Sequence, residues 1–467
     1  MPNRLSEIAS RMDQLYEFDR EPVAASQLQG ARRFAALFAG EHVAATEFVI
    51  GAFFVLHGVS AYDLFVGLLI GNFFAVLSWT FLCAPIAVRT RLTLYWYLRK
   101  SSGPGLTAIY NFANAVFFSV IAGAMVSVSS TAVALLFGIP APALSDVYPS
   151  NLAWAALTFC IGLVYTFLAI LGFEKLSDFA TICSPWIFVV FVAGAVATLP
   201  RLGVLPDLSN FWDVAQNRIW TGVPAAGQEK YGFWQVVFFG WFCNLAMHVG
   251  LSDMALFRYA RRWYYGLTSL TGMYLGHFLC WISSGIMVAG VDRAMDPGRM
   301  AYTAAGVAGI AGLVLAGWTT ANPTMYRVGL ALQTITPGWP SWKVTLVAGL
   351  VMSGISCFPV FFLRLLDNLA VFGIILMPIG AIVFAEHWLV PRLGLIQYRA
   401  ERTGSVFNWQ ALTAWVATLL FCYWMPIHLF YRWLPGYCLA LVLYILLSLP
   451  GRRSARERSS VREAVVQ

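Results

Sequence analysis

Residues 40–51 read Gly40-Glu41-His42-Val43-Ala44-Ala45-Thr46-Glu47-Phe48-Val49-Ile50-Gly51. They lie in the middle of an apolar run, 33–57, that is long enough to cross a bilayer as a helix. Two carboxylates and a histidine inside such a run are costly. A charge at the bilayer centre costs about 2.5–3.5 kcal/mol on insertion scales, so each needs a reason. Six residues apart, Glu41 and Glu47 sit about 120° from facing each other on a regular helix. They form no dyad unless the segment is unwound. Each carboxyl reads either as a protonated or hydrogen-bonded structural group or as a functional one.

Outward from this stretch the same pattern recurs. Of the 467 residues, 59% are hydrophobic and only 11% are Asp, Glu, Lys or Arg, against about 25% charged in a soluble domain. Too few charged residues remain to cover a core of this size in water. Thirty-nine glycines and a 15% aromatic share fit close-packed membrane helices with Trp and Tyr at the headgroups. The sequence predicts an all-α polytopic membrane protein with about twelve transmembrane helices: 33–57, 62–88, 104–138, 151–172, 175–199, 232–257, 264–291, 303–333, 343–362, 365–391, 409–431 and 433–450. The third and eighth are too long for one perpendicular crossing and are expected to tilt. Residues 1–31 read as a polar cytoplasmic segment with no cleavable signal peptide, 32–450 as the transporter domain, and 451–467 as a basic cytoplasmic tail.

With the N-terminus inside, 23 of the 30 Lys and Arg fall on the cytoplasmic side, Arg258 and Arg327 counted among them. That bias predicts cytoplasmic termini. The basic residues form short clusters between apolar spans rather than one stripe, which argues against nucleic acid as the partner of the +8 charge. The eight cysteines lie in or beside apolar runs without metal-ligand spacing. The six histidines read as scattered: His57, His277, His387 and His428 near span ends, and His248 deeper as a core residue. With no cluster of catalytic type and no Gly-rich nucleotide loop, no enzyme, no cofactor and no ATP-driven pump is expected.

Span one carries Gly40 and Gly51 around polar residues, and span six carries Gly240 and Gly250 around Cys243, Asn244 and His248. Interrupted helices at corresponding positions mark inverted halves, here 33–199 and 232–391, followed by two extra helices within 409–450. Thr319 and Thr320 in span eight can edge one cation cavity or back-bond to their own helix. Asn111 and Asn114 share a face of span three, with Phe117 and Phe118 a turn on. An amide beside an aromatic plane suits a flat heterocycle.

Four colinear stretches carry a family resemblance. They are Tyr62-Asp63-Leu64-Phe65-Val66-Gly67-Leu68-Leu69-Ile70-Gly71-Asn72, Phe257-Arg258-Tyr259-Ala260-Arg261, Trp318-Thr319-Thr320-Ala321-Asn322 with Tyr326 and Gly329, and Asn368 through Pro378 to Ala385. Over roughly 35–450 the chain resembles the nucleobase:cation symporter-1 family, especially its cytosine permease branch. The resemblance implies two inverted five-helix repeats plus two C-terminal helices, with a substrate cavity between helices one, three, six and eight. It implies a bound sodium ion held by Thr319 and Thr320 and by carbonyls of Glu41, Ala44 and Ala316. Asn114, Phe117, Trp241, Asn244 and Asn322 then fall at the substrate.

The sequence departs from the family in helix one, where Ile50-Gly51-Ala52 stands for a Trp-Thr-Gly-Gly stretch. It departs again after the threonines, where Ala321-Asn322 stands for Asn-Asp, and at Glu41, which replaces a small residue. The expected activity is cation-coupled uptake of a nucleobase-like or related small nitrogen heterocycle by a monomer in the plasma membrane, with sodium favoured over the proton. The alternatives are an amino-acid-like or amine cargo on the same fold and, more remotely, a membrane-embedded enzyme or passive channel.

Overall fold

The computed structural model describes residues 17–142, 146–290, 296–360 and 365–451. Arg4, Arg11, Arg293, Arg364 and the basic tail, 452–467, on which part of the charge count rests, lie outside the described residues.

All twelve expected segments contain helix. In chain order they are α1 (Ala31–His42) and α2 (Glu47–Leu56), α3 (Ala61–Thr90), α4 (Leu94–Leu136), α5 (Leu152–Ile170) and α6 (Gly172–Leu202). The broken α7 (Phe233–Phe242), α8 (Leu245–His248) and α9 (Met254–Phe257) follow, then α10 (Trp263–Ala289), α11 (Pro297–Gln333), α12 (Ser341–Ser356), α13 (Leu365–Phe384), α14 (Trp409–Trp424) and α15 (Trp433–Ser448). Among the described residues, eight helices are long and apolar enough to cross a membrane unaided, and α1 with α2 makes a ninth as a pair bent by 54°. The sixth, ninth and eleventh expected spans are shorter helices.

Each start has a local cause. Ser60, Thr93, Asn151, Asp296 and Asn408 accept hydrogen bonds from first-turn amides of α3, α4, α5, α11 and α14, which satisfies orphan donors. The two over-long helices are kinked as well as long. Gly103 in α4 sits at φ 86° and Gly306 in α11 at φ 60°, so each bends near its N-terminal end. Their equivalent kinks, and the broken α1–α2 answering the broken α7–α9, express the two five-helix repeats. An odd number of helices per repeat inverts the second against the first.

The repeats interlock where small residues allow it. A Cβ on Gly71 in α3 would lie 2.2 Å from the Val237 carbonyl oxygen of α7, so only glycine lets these backbones meet. Outward, Ile182, Trp186, Val189 and Val196 form an exposed stripe along α6, while Ile187, Phe191 and Ala195 point inward. In water such a stripe is a liability; against lipid tails it is the expected surface.

Candidate functional site

The chain breaks twice near the middle of the fold. Between α1 and α2, residues 43–46 leave the helix, so the last carbonyls of α1 lose their intrahelical partners. Between α7 and α8, Cys243 is extended and Asn244 adopts a left-handed φ of 63°; Leu251 does the same at 67° before α9.

Thr319 and Thr320 of α11 face the first break. The Thr319 hydroxyl lies 2.8 Å from the Gly40 carbonyl, 2.9 Å from that of Leu315 and 3.2 Å from that of Ala316. The Thr320 hydroxyl lies 2.9 Å from the Glu41 carbonyl and 3.0 Å from that of Ala316. A Cβ on residue 40 would stand 3.2 Å from the Thr319 Cβ and 2.9 Å from Ser184 Oγ, so Gly40 lets α11 approach. The Leu315 and Ala316 carbonyls also accept from amides of their own helix, so the carbonyls freed by the break are those of Gly40 and Glu41, each met by a threonine hydroxyl. Such carbonyl and hydroxyl oxygens, at the negative end of a helix dipole, are the ligands a small hard cation takes. Ala44 is buried beside it, and its carbonyl accepts from the Glu47 amide at 3.1 Å.

Below the threonines lies the feature that sequence reading missed. Arg327, seven residues after Thr320 and so on nearly the same face, is fully buried. Its Nη1 and Nη2 donate to the two Glu41 carboxylate oxygens at 2.5 and 3.1 Å. Its Nε and Nη2 donate to Asp253 Oδ1 at 2.9 and 2.5 Å. The Trp79 indole donates to Asp253 Oδ2 at 2.6 Å. Arg327 is therefore no loop charge and leaves the topology count. Arg258 stands in the turn closing α9 and donates to the Phe18 and Glu17 carbonyls and to the Tyr326 hydroxyl. The missed signal was plain: Asp253 and Arg327 both fall inside runs read as spans.

Two cavities adjoin, sharing Ile121, Cys243, Asn244, Met247 and Leu369. One, of about 20 Å³, is lined by Phe117, Phe239, Phe242 and Phe430 among others. The other, of about 30 Å³, is edged by Glu41, Ala44, Thr46, Glu47, His277 and Thr320. Each has room for a water or two and no ring. Hydrogen bonds join the elements on either side of them. On one side Glu17 accepts from Tyr259 and Tyr326 and Arg20 donates to the Gln333 carbonyl. On the other, residues 220–231 cover the α2–α3 turn through Ala225 to Leu56 and Tyr231 to His57 backbone bonds.

Among the expected substrate residues, Phe117 and Asn244 reach this space. Asn114 is buried in a bridge, accepting from Tyr95 at 2.9 Å and donating to Ser252 at 3.1 Å. Trp241 donates to Ser78 and packs on Phe74 and Trp433. Asn322 is buried with neither amide atom partnered among the described residues. His277, expected near a span end, is buried at the cavity. His42, His248 and His277 are gathered around Trp79 and Trp281 rather than scattered. No group of three or more His, Cys, Asp or Glu among the described residues could hold a metal ion.

Two repeats of five helices, each opening on a broken helix beside the cavities, make up the fold. Three solved structures similar to this chain are described as transporters or symporters. An inward-facing structure of Mhp1 aligns with a TM-score of 0.71 at 16% identity over 96% of this chain and 97% of that one. Mhp1, described as a nucleobase-cation-symport-1 family transporter, closed with bromovinylhydantoin bound, aligns at 0.69 and 16% over 93% and 95%. A sodium-coupled sialic acid symporter in a substrate-bound outward-open state aligns at 0.66 and 13% over 95% and 96%. The chain matches no family model and none of the curated proteins. At these identities the likeness is one of fold.

Proposed function

We propose that the chain is a cation-coupled secondary transporter that takes up a nucleobase-like or related small nitrogen heterocycle by alternating access. It works as a monomer in the plasma membrane, with repeats at 33–199 and 232–391, extra helices at 409–450 and cytoplasmic ends at 1–31 and 451–467. One observation supports the cation reading: the Gly40 and Glu41 carbonyls, freed where α1 ends, converge with the Thr319 and Thr320 hydroxyls. Sodium is the favoured ion there, held by the Thr319 and Thr320 hydroxyls and the Glu41, Ala44 and Ala316 carbonyls. Its entry would displace threonine-to-carbonyl bonds and tie α1 to α11. Phe117 and Asn244 supply an aromatic plane and an amide to the cargo; Asn114, Trp241 and Asn322 complete the proposed set. A fold-mate with bromovinylhydantoin bound supports a planar cyclic amide as cargo, and a sodium-coupled one supports the ion.

The test is uptake of radiolabelled uracil into proteoliposomes under an imposed sodium gradient, beside a thermal-shift panel of purines, pyrimidines, hydantoins, amino acids and amines. Sodium-dependent stabilisation by a planar amide supports the reading, since a ligand stabilises by mass action. Stabilisation by amines or amino acids alone replaces it with the amine reading.

A further inference from the structure

Glu47 is used by neither the cation cage nor the Arg327 pair. It opens α2 directly after the break, is 3% exposed and edges the cavity. Its Oε2 accepts from the Trp281 indole, and its backbone carbonyl accepts from Ser284 at 2.7 Å. No Lys or Arg among the described residues pairs with it. Its one basic neighbour is His277, whose Nε2 stands 3.9 Å from Oε1.

Behind His277 lies a second imidazole. The His42 and His277 ring centroids are 5.3 Å apart. His42 Nδ1 is 3.0 Å from the Phe38 carbonyl, which places the neutral-form proton on Nδ1 and leaves Nε2 an acceptor. His42 Nε2 and His277 Nδ1 have no hydrogen-bond partner among the described residues, and both rings are 1% exposed. Buried nitrogens left unpaired are costly, and the free His42 Nε2 is ready for a proton. A carboxylate in low dielectric without a cation is equally costly. One proton relieves both. The other titratable and charged groups facing the cluster are Glu41, Asp253, Arg327, His248, Cys243 and Cys280. Of these, the first three already neutralise one another in part through the Arg327 bonds.

We propose that Glu47 and His277, backed by His42, form a proton-binding site on the cavity, a second cation site separate from the one at Thr319 and Thr320. A hydronium entering the cavity gives its proton to Glu47 Oε1, forming an O–H bond and leaving water, with His277 Nε2 as the neighbouring base at 3.9 Å. Release is the reverse transfer to water when the cavity opens to the other face. Because Glu47 is the first residue of α2, its charge reports directly to the half-helix that must swing. The direction of proton movement rests on the transport reading above; the site itself does not.

The test uses the purified full-length chain and infrared difference spectra between about pH 5 and about pH 9. Protonation of Glu47 adds a neutral-carboxyl band, and Glu47→Gln removes one carboxyl component from it. Glu386, buried against Tyr398 and Tyr444, supplies an independent component that Glu386→Gln removes and Glu47→Gln keeps, which shows that the variant is folded. Glu47→Asp retains a carboxyl component. His277→Gln moves the midpoint of the Glu47 component by on the order of one pH unit. A Glu47→Gln spectrum that superimposes on the wild type overturns the proposal. In a second arm, uracil uptake is driven by an imposed proton gradient; its loss in Glu47→Gln supports coupling through this site. Wild-type vesicles that take up no uracil under any gradient overturn the uracil reading, while the infrared spectra still decide the proton site.

Discussion

Glu41 turns its two ends to different partners: its backbone carbonyl accepts from Thr320, while its carboxylate is gripped by both Nη atoms of Arg327. The side-chain charge is thus spent on an ion pair and is not offered to the threonine cage. In the reading proposed above, a cation there would meet neutral dipoles alone.

From this pair comes the expectation for Arg327. Removing it strands the buried Glu41 and Asp253 carboxylates together. Breaking one buried pair by removing a partner costs about 3–5 kcal/mol, so Arg327→Ala should sharply lower the thermal-unfolding midpoint in detergent. Arg327→Lys should recover only part of the loss, because an ammonium cannot fork to two carboxylates as a guanidinium does. An Arg327→Ala protein as stable as wild type would show that both carboxyls are neutral.

Thr319→Ala with Thr320→Ala tests the cage. It removes two neutral oxygens and leaves the Gly40 and Glu41 carbonyls without their hydroxyl donors, a cost of about 0.5–1.5 kcal/mol for each bond lost. Sodium-stimulated uracil uptake should vanish, while the folded protein survives. Glu41→Gln should change stability far more than it changes the sodium concentration for half-maximal uptake. The reverse ranking would mean that the carboxylate reaches the ion in another conformation.

The Glu17 latch gives a third expectation. Its carboxylate ties Tyr259 to Tyr326, one closing the broken sixth span and the other on α11. Glu17→Ala removes charge-assisted hydrogen bonds, each worth about 1.5–3 kcal/mol, from the shut state alone. With Cys243 as the one cysteine retained, its labelling by a membrane-permeant maleimide should rise about tenfold or more, since about 1.4 kcal/mol is a factor of ten. Unchanged labelling would mean that the latch does not limit access.

Why some of this was legible and some not is a matter of range. Apolar length and Gly-flanked polar breaks are local, so the helical segments, the two interruptions and the repeat pairing could be read directly. Thr319, Thr320 and the α1 carbonyls were legible because a family pattern brings them together. The Arg327 pairs were not, because they join positions 74 and 286 residues apart. Treating Arg327 as a topology marker hid that it follows Thr320 by two turns. His42 and His277 meet across a gap of the same kind, so three buried imidazoles looked scattered.

Asn114 and Asn244 now separate, although both were expected at the cargo. The Asn114 amide is occupied at both atoms, by Tyr95 and Ser252, and it abuts the Asp253 segment. Truncating it leaves a buried hydroxyl on each side in need of a new partner, a penalty of about 1–3 kcal/mol for each group left unsatisfied. Asn114→Ala should therefore lower thermal stability measurably before any effect on affinity is read. Asn244 is different. Its left-handed backbone sets the break, and its amide Nδ2 has only sulfur partners, Cys243 and Met273, at 3.7 and 3.9 Å. Those are weak acceptors, so the amide is available to a cargo carbonyl or ring nitrogen. Asn244→Ala forfeits that bond and also places a Cβ residue with no side-chain hydrogen bonding at positive φ. Asn244→Gly keeps the backbone and removes the amide alone. The glycine variant should unfold within a few degrees of wild type and yet show uracil uptake reduced by about tenfold, the share of one neutral hydrogen bond in a desolvated site. Full uptake by Asn244→Gly would remove Asn244 from the cargo site and leave Phe117 as the side chain facing it.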